Sequence, residues 1–304
     1  MAGIASAPTT YPFTGSIPEQ FGIIRADDGT DLFYRYWPAR NLPSKIVVVV
    51  LHGIGMHSGP YVTVAAALTP LGIDVYGLDD RGHGKSSGPR DRLSPRAKIV
   101  ADIHSLIQFV STINGPEIFL LGESMGGPLA LSYAIDHEQF LSGLVLVAPA
   151  LQLCARQILR PLTIPLLPYL LAPTLPSVNL LDRRLEESSR DQHFLDARRA
   201  DDLSYSKVSI RYIFNINNFI LYCRGSRLRS LEKPVLILHG ARDRLISISG
   251  SKMLARKIGH NTFKVYKTAW HTLFWDPETP FVLEEIGKWV AQQSKGNLSL
   301  TNSA

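Results

Sequence analysis

Cysteine is scarce: Cys154 and Cys223 are the only two in 304 residues. That excludes a disulfide framework and a cysteine metal cluster. The pair reads as free thiols in a reducing, cytoplasmic setting, with one bridge between them as the alternative. The N-terminus lacks the basic start and apolar run of a secretion signal. Charge of one sign is also short, with 32 Lys and Arg against 26 Asp and Glu, a formal +6. Such a mild excess does not point to a nucleic-acid partner. Histidines and cysteines are not clustered, so no metal site is expected. "RGHGKSS" has the Gly84-Lys85-Ser86 of a phosphate-binding loop, but the loop needs a glycine five residues before Gly84, where Asp79 stands. No nucleotide or other cofactor is expected. The longest apolar stretch, "ILRPLTIPLLPYLLAPTLPSVNLL", carries Arg160, Pro161, Pro165, Pro168, Pro173 and Pro176, which argue against a regular helix in lipid. There are no repeats or low-complexity tracts.

What is present is an alternation. "KIVVVVLHG", "IDVYGLDDRG", "EIFLLG", "SGLVLVAP" and "PVLILHG" are short continuous apolar runs, the pattern of strands buried on both faces of a parallel sheet. "FKVYKTAWH" follows as a further strand. Ahead of them, "FGIIRADDGTDLFYRYW" reads as two strands around an Asp-Asp-Gly turn. Helical patterns fill the gaps. "PYVTVAAALTPLG" stops at Gly72. "SPRAKIVADIHSLIQFVSTING" has Ser94 as the expected N-cap and Pro95 at the first helical position. "MGGPLALSYAIDH", "SGSKMLARKIG" and "PFVLEEIGKWVAQQ" are the others.

Such alternation predicts an α/β domain with a mostly parallel, doubly wound sheet of about eight strands. It breaks between about Ala150 and Leu231, where helical, polar segments with apolar faces follow the Leu- and Pro-rich run. We read three parts: core over 1–149, a mainly helical cap over 150–230 inserted after the sixth strand, and core again over 231–304. Both chain ends, "MAGIASAPTT" and "GNLSLTNSA", read as loose. Between Leu151 and Lys233 there are 13 Lys and Arg against 8 Asp and Glu, so a net +5 falls in the cap window.

The stretch "GESMGG", Gly122 to Gly127, carries the chemistry. It sits between an apolar strand and a helix, the place where ligands bind in open α/β sheets. Gly122-Glu123-Ser124-Met125-Gly126 fits a nucleophile elbow, in which a sharp turn strains the serine and needs side-chain-free neighbours. The plain alternative is a tight turn with no chemistry. A serine hydroxyl needs a base, and the base an acid, in the chain order Ser, Asp or Glu, His. Asp243 follows the "PVLILHG" strand and His271 the last strand. His52 and His239 read as turn and packing residues, and His83 as part of a glycine-rich loop. His104, His137, His193 and His260 read as surface or satisfied core, and Asp276 as a helix-start residue. A tetrahedral intermediate needs oxyanion donors; the backbone N–H groups of Met125 and of Ile54, in "HGIGMHSG", are the candidates.

Taken together, "LHGIGMHSGPY", "GLDDRGHGKSSGPR", "GESMGG", "HGARDRLIS" and "AWHTLFWDPE" resemble, in order, five segments of the monoacylglycerol lipase and lysophospholipase branch of the α/β-hydrolase superfamily, also called serine aminopeptidase-like hydrolases. The similarity spans about Phe21 to Gln293. It implies the α/β-hydrolase fold, Ser124 as nucleophile, Asp243 as acid, His271 as base, and Ile54 and Met125 as oxyanion donors. Where many relatives carry His before the nucleophile, this chain has Glu123, which is similar to plant members. Epoxide hydrolases and haloalkane dehalogenases on this fold have Asp at the position of Ser124. The expected activity is hydrolysis of a lipid-like ester, a monoacylglycerol or lysophospholipid, with the cap's charge either a solvated face or a docking patch for an anionic membrane or lipid aggregate. The same triad also serves small-ester carboxylesterases, amidases, C–C hydrolases and acyltransferases, and the fold also serves non-catalytic binding proteins.

Overall fold

The computed structural model describes residues 17–40, 44–90, 92–113, 117–154, 178–179 and 182–294. Both chain ends and most of the Leu- and Pro-rich run lie outside them. The Asp27-Asp28-Gly29 turn folds strand β1 (Gln20–Arg25) back on β2 (Asp31–Trp37), with Gly29 at φ 79°. That left-handed angle is why glycine ends the turn. β2 then pairs antiparallel with β4 (Ile73–Leu78). From there the sheet is parallel: β3 (Ile46–Leu51), β5 (Glu117–Glu123), β6 (Gly143–Val147), β9 (Val235–Gly240) and β10 (Asn261–Tyr266). The order across the eight strands is β1-β2-β4-β3-β5-β6-β9-β10.

The valine run explains the layers. All six residues of β3 are buried. Val47, Val49 and Leu51 join one apolar cluster with Ile103, Leu106 and Leu129 of helices α2 (Arg96–Ser111) and α3 (Gly126–His137). Val48 and Val50 join the opposite cluster, with Val64 and Leu68 of α1 (Val62–Leu68) and Ile286 of the last helix, Thr279–Gln293. Successive strand residues face opposite ways, so an unbroken apolar run needs helices on both sides. One detail departs from the sequence reading. Pro95, not Ser94, takes the N-cap place of α2; its ψ of 151° is extended, and no side chain caps the helix. The Pro95 carbonyl accepts from Lys98 N–H at 3.0 Å, so helical dihedrals begin at Arg96.

The region after β6 is the cap. Its described part holds α4 (Asp182–Ser188), α5 (Gln192–Ala200) and α6 (Ile210–Cys223). Local capping sets the starts: Asp191 accepts from His193 and Phe194 N–H, and Ser209 Oγ accepts from Tyr212 N–H. The cap also contains a two-residue ribbon the sequence did not signal, β7 (Val178–Asn179) with β8 (Lys207–Val208). α6 buries Tyr212, Phe219 and Cys223 and leaves Phe214 and Leu221 exposed. Cys154 and Cys223 are free thiols. Among the described residues no helix is long and apolar enough to cross a membrane.

Candidate active site

The glycines of "GESMGG" are forced by contact. A Cβ on Gly122 would lie 2.2 Å from the carbonyl oxygen of Gly126, and one on Gly126 would lie 2.2 Å from that of Leu51. Between them Ser124 sits at φ 52°, a region costly for a residue with a Cβ. Three backbone bonds hold the turn. Ser124 N–H donates to Val147 O at 2.9 Å, and the Ser124 carbonyl accepts from Gly127 N–H at 3.1 Å and Ala150 N–H at 2.8 Å. The hydroxyl is thereby fixed at the carboxyl end of β5, at the start of α3.

Two further strand ends meet it there. His271 lies in the loop after β10, with Nε2 2.8 Å from Ser124 Oγ. Its Nδ1 is 2.7 Å from Asp243 Oδ2, in the turn after β9. Asp243 Oδ1 accepts from the N–H groups of Leu245 and Ile246, at 2.8 and 2.9 Å. Those bonds orient the carboxylate, which fixes the Nδ1–H tautomer and leaves Nε2 free to accept the Ser124 proton. Burial alone would push the Asp243 carboxyl up; the charge and hydrogen bond of His271 more than offset it and hold it below the usual carboxylate range. Burial likewise pushes His271 down, but Asp243, with a smaller part from Glu123, raises it above the ordinary imidazole value.

Met125 N–H lies at the N-cap of α3, and Ile54 in the loop after β3. Both residues line one cavity with Ser124 and His271. Gly53 packs against Ser124: a Cβ there would be 3.7 Å from Ser124 Cβ. The cavity holds about 290 Å³. Met56, Leu185, Phe194, Ile213, Ile216 and Leu245 make its apolar walls, and cap helices α4, α5 and α6 supply four of these six. Arg184 and Arg198 are its basic members.

The other candidates fall elsewhere. His52 accepts from Asp80 N–H; His239 lies between Ser251 Oγ and Ile246 O, and its Nε2 is also 3.5 Å from Asp243 Oδ2. Asp276 does more than precede a helix. It accepts from Glu278 N–H, but Glu278 takes the N-cap place, and the Asp276 carboxylate pairs with Arg190 of the cap at 2.6 Å. His83 is buried, with Tyr205 hydroxyl 2.5 Å and Tyr212 hydroxyl 3.1 Å from its Nε2. His57, within the "HGIGMHSG" segment but given no role from sequence, meets Asp201 of the cap at 2.8 Å. These cap–core contacts link residues more than 80 positions apart, and no local pattern announces them. A signal for Asp79 was there to use: its position in a glycine-rich loop after β4. It accepts from Ser58 N–H at 2.7 Å, Lys85 N–H at 2.9 Å and Arg35 Nη1 at 3.2 Å.

The family model described as "Hydrolase_4: Serine aminopeptidase, S33" matches residues 43–278. The chain is 31% identical to monoacylglycerol lipase of Mycolicibacterium smegmatis, over 86% of this chain and 93% of that one. It is 33% identical to human monoglyceride lipase, over 88% and 89%. Among solved structures, that of a Paleococcus ferrophilus monoacylglycerol lipase superposes with a TM-score of 0.75 at 28% identity, covering 86% of this chain and 99% of that one. A soluble variant of the Saccharomyces cerevisiae monoglyceride lipase gives 0.80 at 22% identity, over 94% and 99%, a likeness of fold. The chain belongs to the serine aminopeptidase (Hydrolase_4) family of α/β-hydrolases, among its monoglyceride lipase-like esterases and lipases.

Proposed function

We propose that the protein is a serine ester hydrolase that cleaves a long-chain monoacylglycerol or lysophospholipid. The observation that carries this reading is the hydrogen-bonded chain from Ser124 through His271 to Asp243, opening on an apolar cavity beneath the cap. His271 Nε2 takes the Ser124 proton as Oγ attacks the ester carbonyl. The N–H groups of Ile54 and Met125 hold the oxyanion, and Asp243 stabilises the imidazolium. His271 then gives the proton to the departing alcohol, leaving an acyl-Ser124. Water, deprotonated by His271, attacks this ester and releases the fatty acid.

The apolar walls support a long acyl chain, since each buried methylene is worth about 0.8 kcal/mol. Arg184 and Arg198 keep a phosphate-bearing alcohol within the reading. In this scheme 150–230 is the unit that shapes the acyl site, and 1–149 with 231–304 is the core that carries the triad. Phe214 and Leu221, exposed on α6, offer apolar contacts to a lipid surface; co-sedimentation with vesicles tests this, and no sedimentation with neutral or anionic vesicles removes it. The decisive test is fatty-acid release from a long-chain monoacylglycerol by the wild type and by Ser124→Ala. Release by the wild type alone supports the proposal. A sharp preference for acetyl or butyryl esters overturns the lipid substrate, and failure of a fluorophosphonate probe to label Ser124 overturns the hydrolase.

A further inference from the structure

The residue before the nucleophile is a carboxylate, and the reaction above gives it no task. Glu123 is 2% exposed. Its Oε2 accepts from the Tyr61 hydroxyl at 2.5 Å, while its Oε1 is buried with no hydrogen-bond partner among the described residues. A buried acceptor left unmatched is unusual enough to need a reason.

Tyr61 supplies the context. It is fully buried, and its oxygen also accepts from Gly53 N–H at 3.0 Å. Gly53 adjoins Ile54 and rests on Ser124. The Tyr61 ring stands edge-on to Phe274 at 6.0 Å and to Trp275 at 5.5 Å, just past His271. One side chain therefore touches the oxyanion loop, the elbow and the base loop. Glu123 lines the same cavity as Ser124 and His271, and its charge acts on the His271 ring in the direction that favours the protonated form.

We propose that Glu123 and Tyr61 are a positioning pair: Tyr61 fixes the oxyanion loop against the elbow, and the Glu123 carboxylate stabilises the imidazolium that His271 becomes. The pair deepens the serine-hydrolase reading and rests on it. As the Ser124 proton reaches Nε2, the ring's positive charge faces Asp243 at Nδ1 and Glu123 through space. Burial pushes the Glu123 carboxyl up to about 7, against the Tyr61 bond and the His271 charge. Those are the groups that face it, with Asp80 acting on Tyr61 from β4's end. Its charge is thus gained across neutral pH, and it acts on the His271 ring, so the two titrations are coupled.

Two variants separate the roles. Glu123→Gln keeps an acceptor for Tyr61 and removes the charge. Tyr61→Phe keeps the ring and removes both hydrogen bonds. The His271 ring is titrated by NMR in each, and kcat/KM for p-nitrophenyl butyrate is measured against pH. In Glu123→Gln the His271 titration should move to lower pH by about half a unit, with the acid limb of kcat/KM following and KM unchanged. A merely structural glutamate would lower the rate and leave the titration in place. Tyr61→Phe should lower kcat by about tenfold, as expected for a loosened oxyanion site. A His271 titration identical in wild type and Glu123→Gln overturns the electrostatic half, and full activity of Tyr61→Phe overturns the other. Should the wild type hydrolyse no ester while the titration still shifts, the coupling of Glu123 to His271 stands, and the hydrolase reading falls together with the catalytic role of the pair.

Discussion

Replacing Asp243 by Asn removes the acid's charge and keeps its shape, and the turn around it sets the size of the effect. Asp243 Oδ1 accepts from two backbone N–H groups, those of Leu245 and Ile246. In Asp243→Asn the amide oxygen must take that place. The amide NH₂ then faces His271 Nδ1, which has to accept rather than donate. The proton moves to Nε2, and Nε2 can no longer receive one from Ser124. Flipping the amide would restore the tautomer but leave two buried N–H groups facing a donor. Each costs about 1–3 kcal/mol, so the flip costs about 2–6 kcal/mol in all. At about 1.4 kcal/mol per factor of ten, the competent form is depleted by about 30-fold to 10⁴-fold. We expect kcat/KM for a soluble ester to fall within that range. KM should stay within about threefold, because the cavity walls are untouched. Steady-state kinetics on p-nitrophenyl butyrate, with circular dichroism to confirm folding, gives the answer. A loss smaller than about tenfold in folded Asp243→Asn would refute the assigned role.

The same geometry sets the pH dependence. His271 must be neutral to act as base, and its raised value puts the acid limb of kcat/KM above the ordinary imidazole figure of about 6.5. Stability runs the other way: protonated His271 stabilises the fold at low pH, and this contribution is lost as pH rises through its folded-state value. An acid limb near pH 5 would contradict the coupling to Asp243. Arg35→Ala should destabilise the fold by about 3–5 kcal/mol in urea unfolding, because it leaves the Asp79 carboxylate buried without its cation. An unfolding midpoint equal to that of the wild type would show that the Ser58 and Lys85 donors suffice.

How much of this was legible beforehand depends on sequence distance. Pro95 shows the limit at the smallest scale. Its composition pattern is that of a helix start, but the choice between Ser94 and Pro95 as N-cap turns on one ψ angle, which residue type does not set. Ser124 lies at the opposite extreme. Gly122, Gly126 and the flanking strand and helix are all within a dozen residues, so the elbow can be read as a local pattern. Asp243 and His271 could be proposed as partners because each follows an apolar run and the carboxyl ends of parallel strands converge, and the structure joins both to Ser124 in one hydrogen-bonded chain. Glu123 was noted beside Ser124, but its bond to Tyr61 was not foreseen. The two residues lie 62 positions apart, and the tyrosine in "SGPY" looks like any helix-start aromatic.

The sequence by itself determined the layer order, since runs such as Ile46–Leu51 can be buried only in a sheet covered on both faces. It also marked Ser124 as the candidate nucleophile, because glycines flank it where an apolar strand runs into a helix; the structure adds that a Cβ on Gly122 or Gly126 would lie 2.2 Å from a carbonyl oxygen. The tertiary structure alone decided which buried polar groups answer one another: Glu123 with Tyr61, His57 with Asp201, Asp79 with Arg35. It alone placed cap helices over the serine. Apolar burial is non-directional and is written in composition and period. A hydrogen bond between distant residues depends on ångström-scale placement, which exists only once the chain has folded.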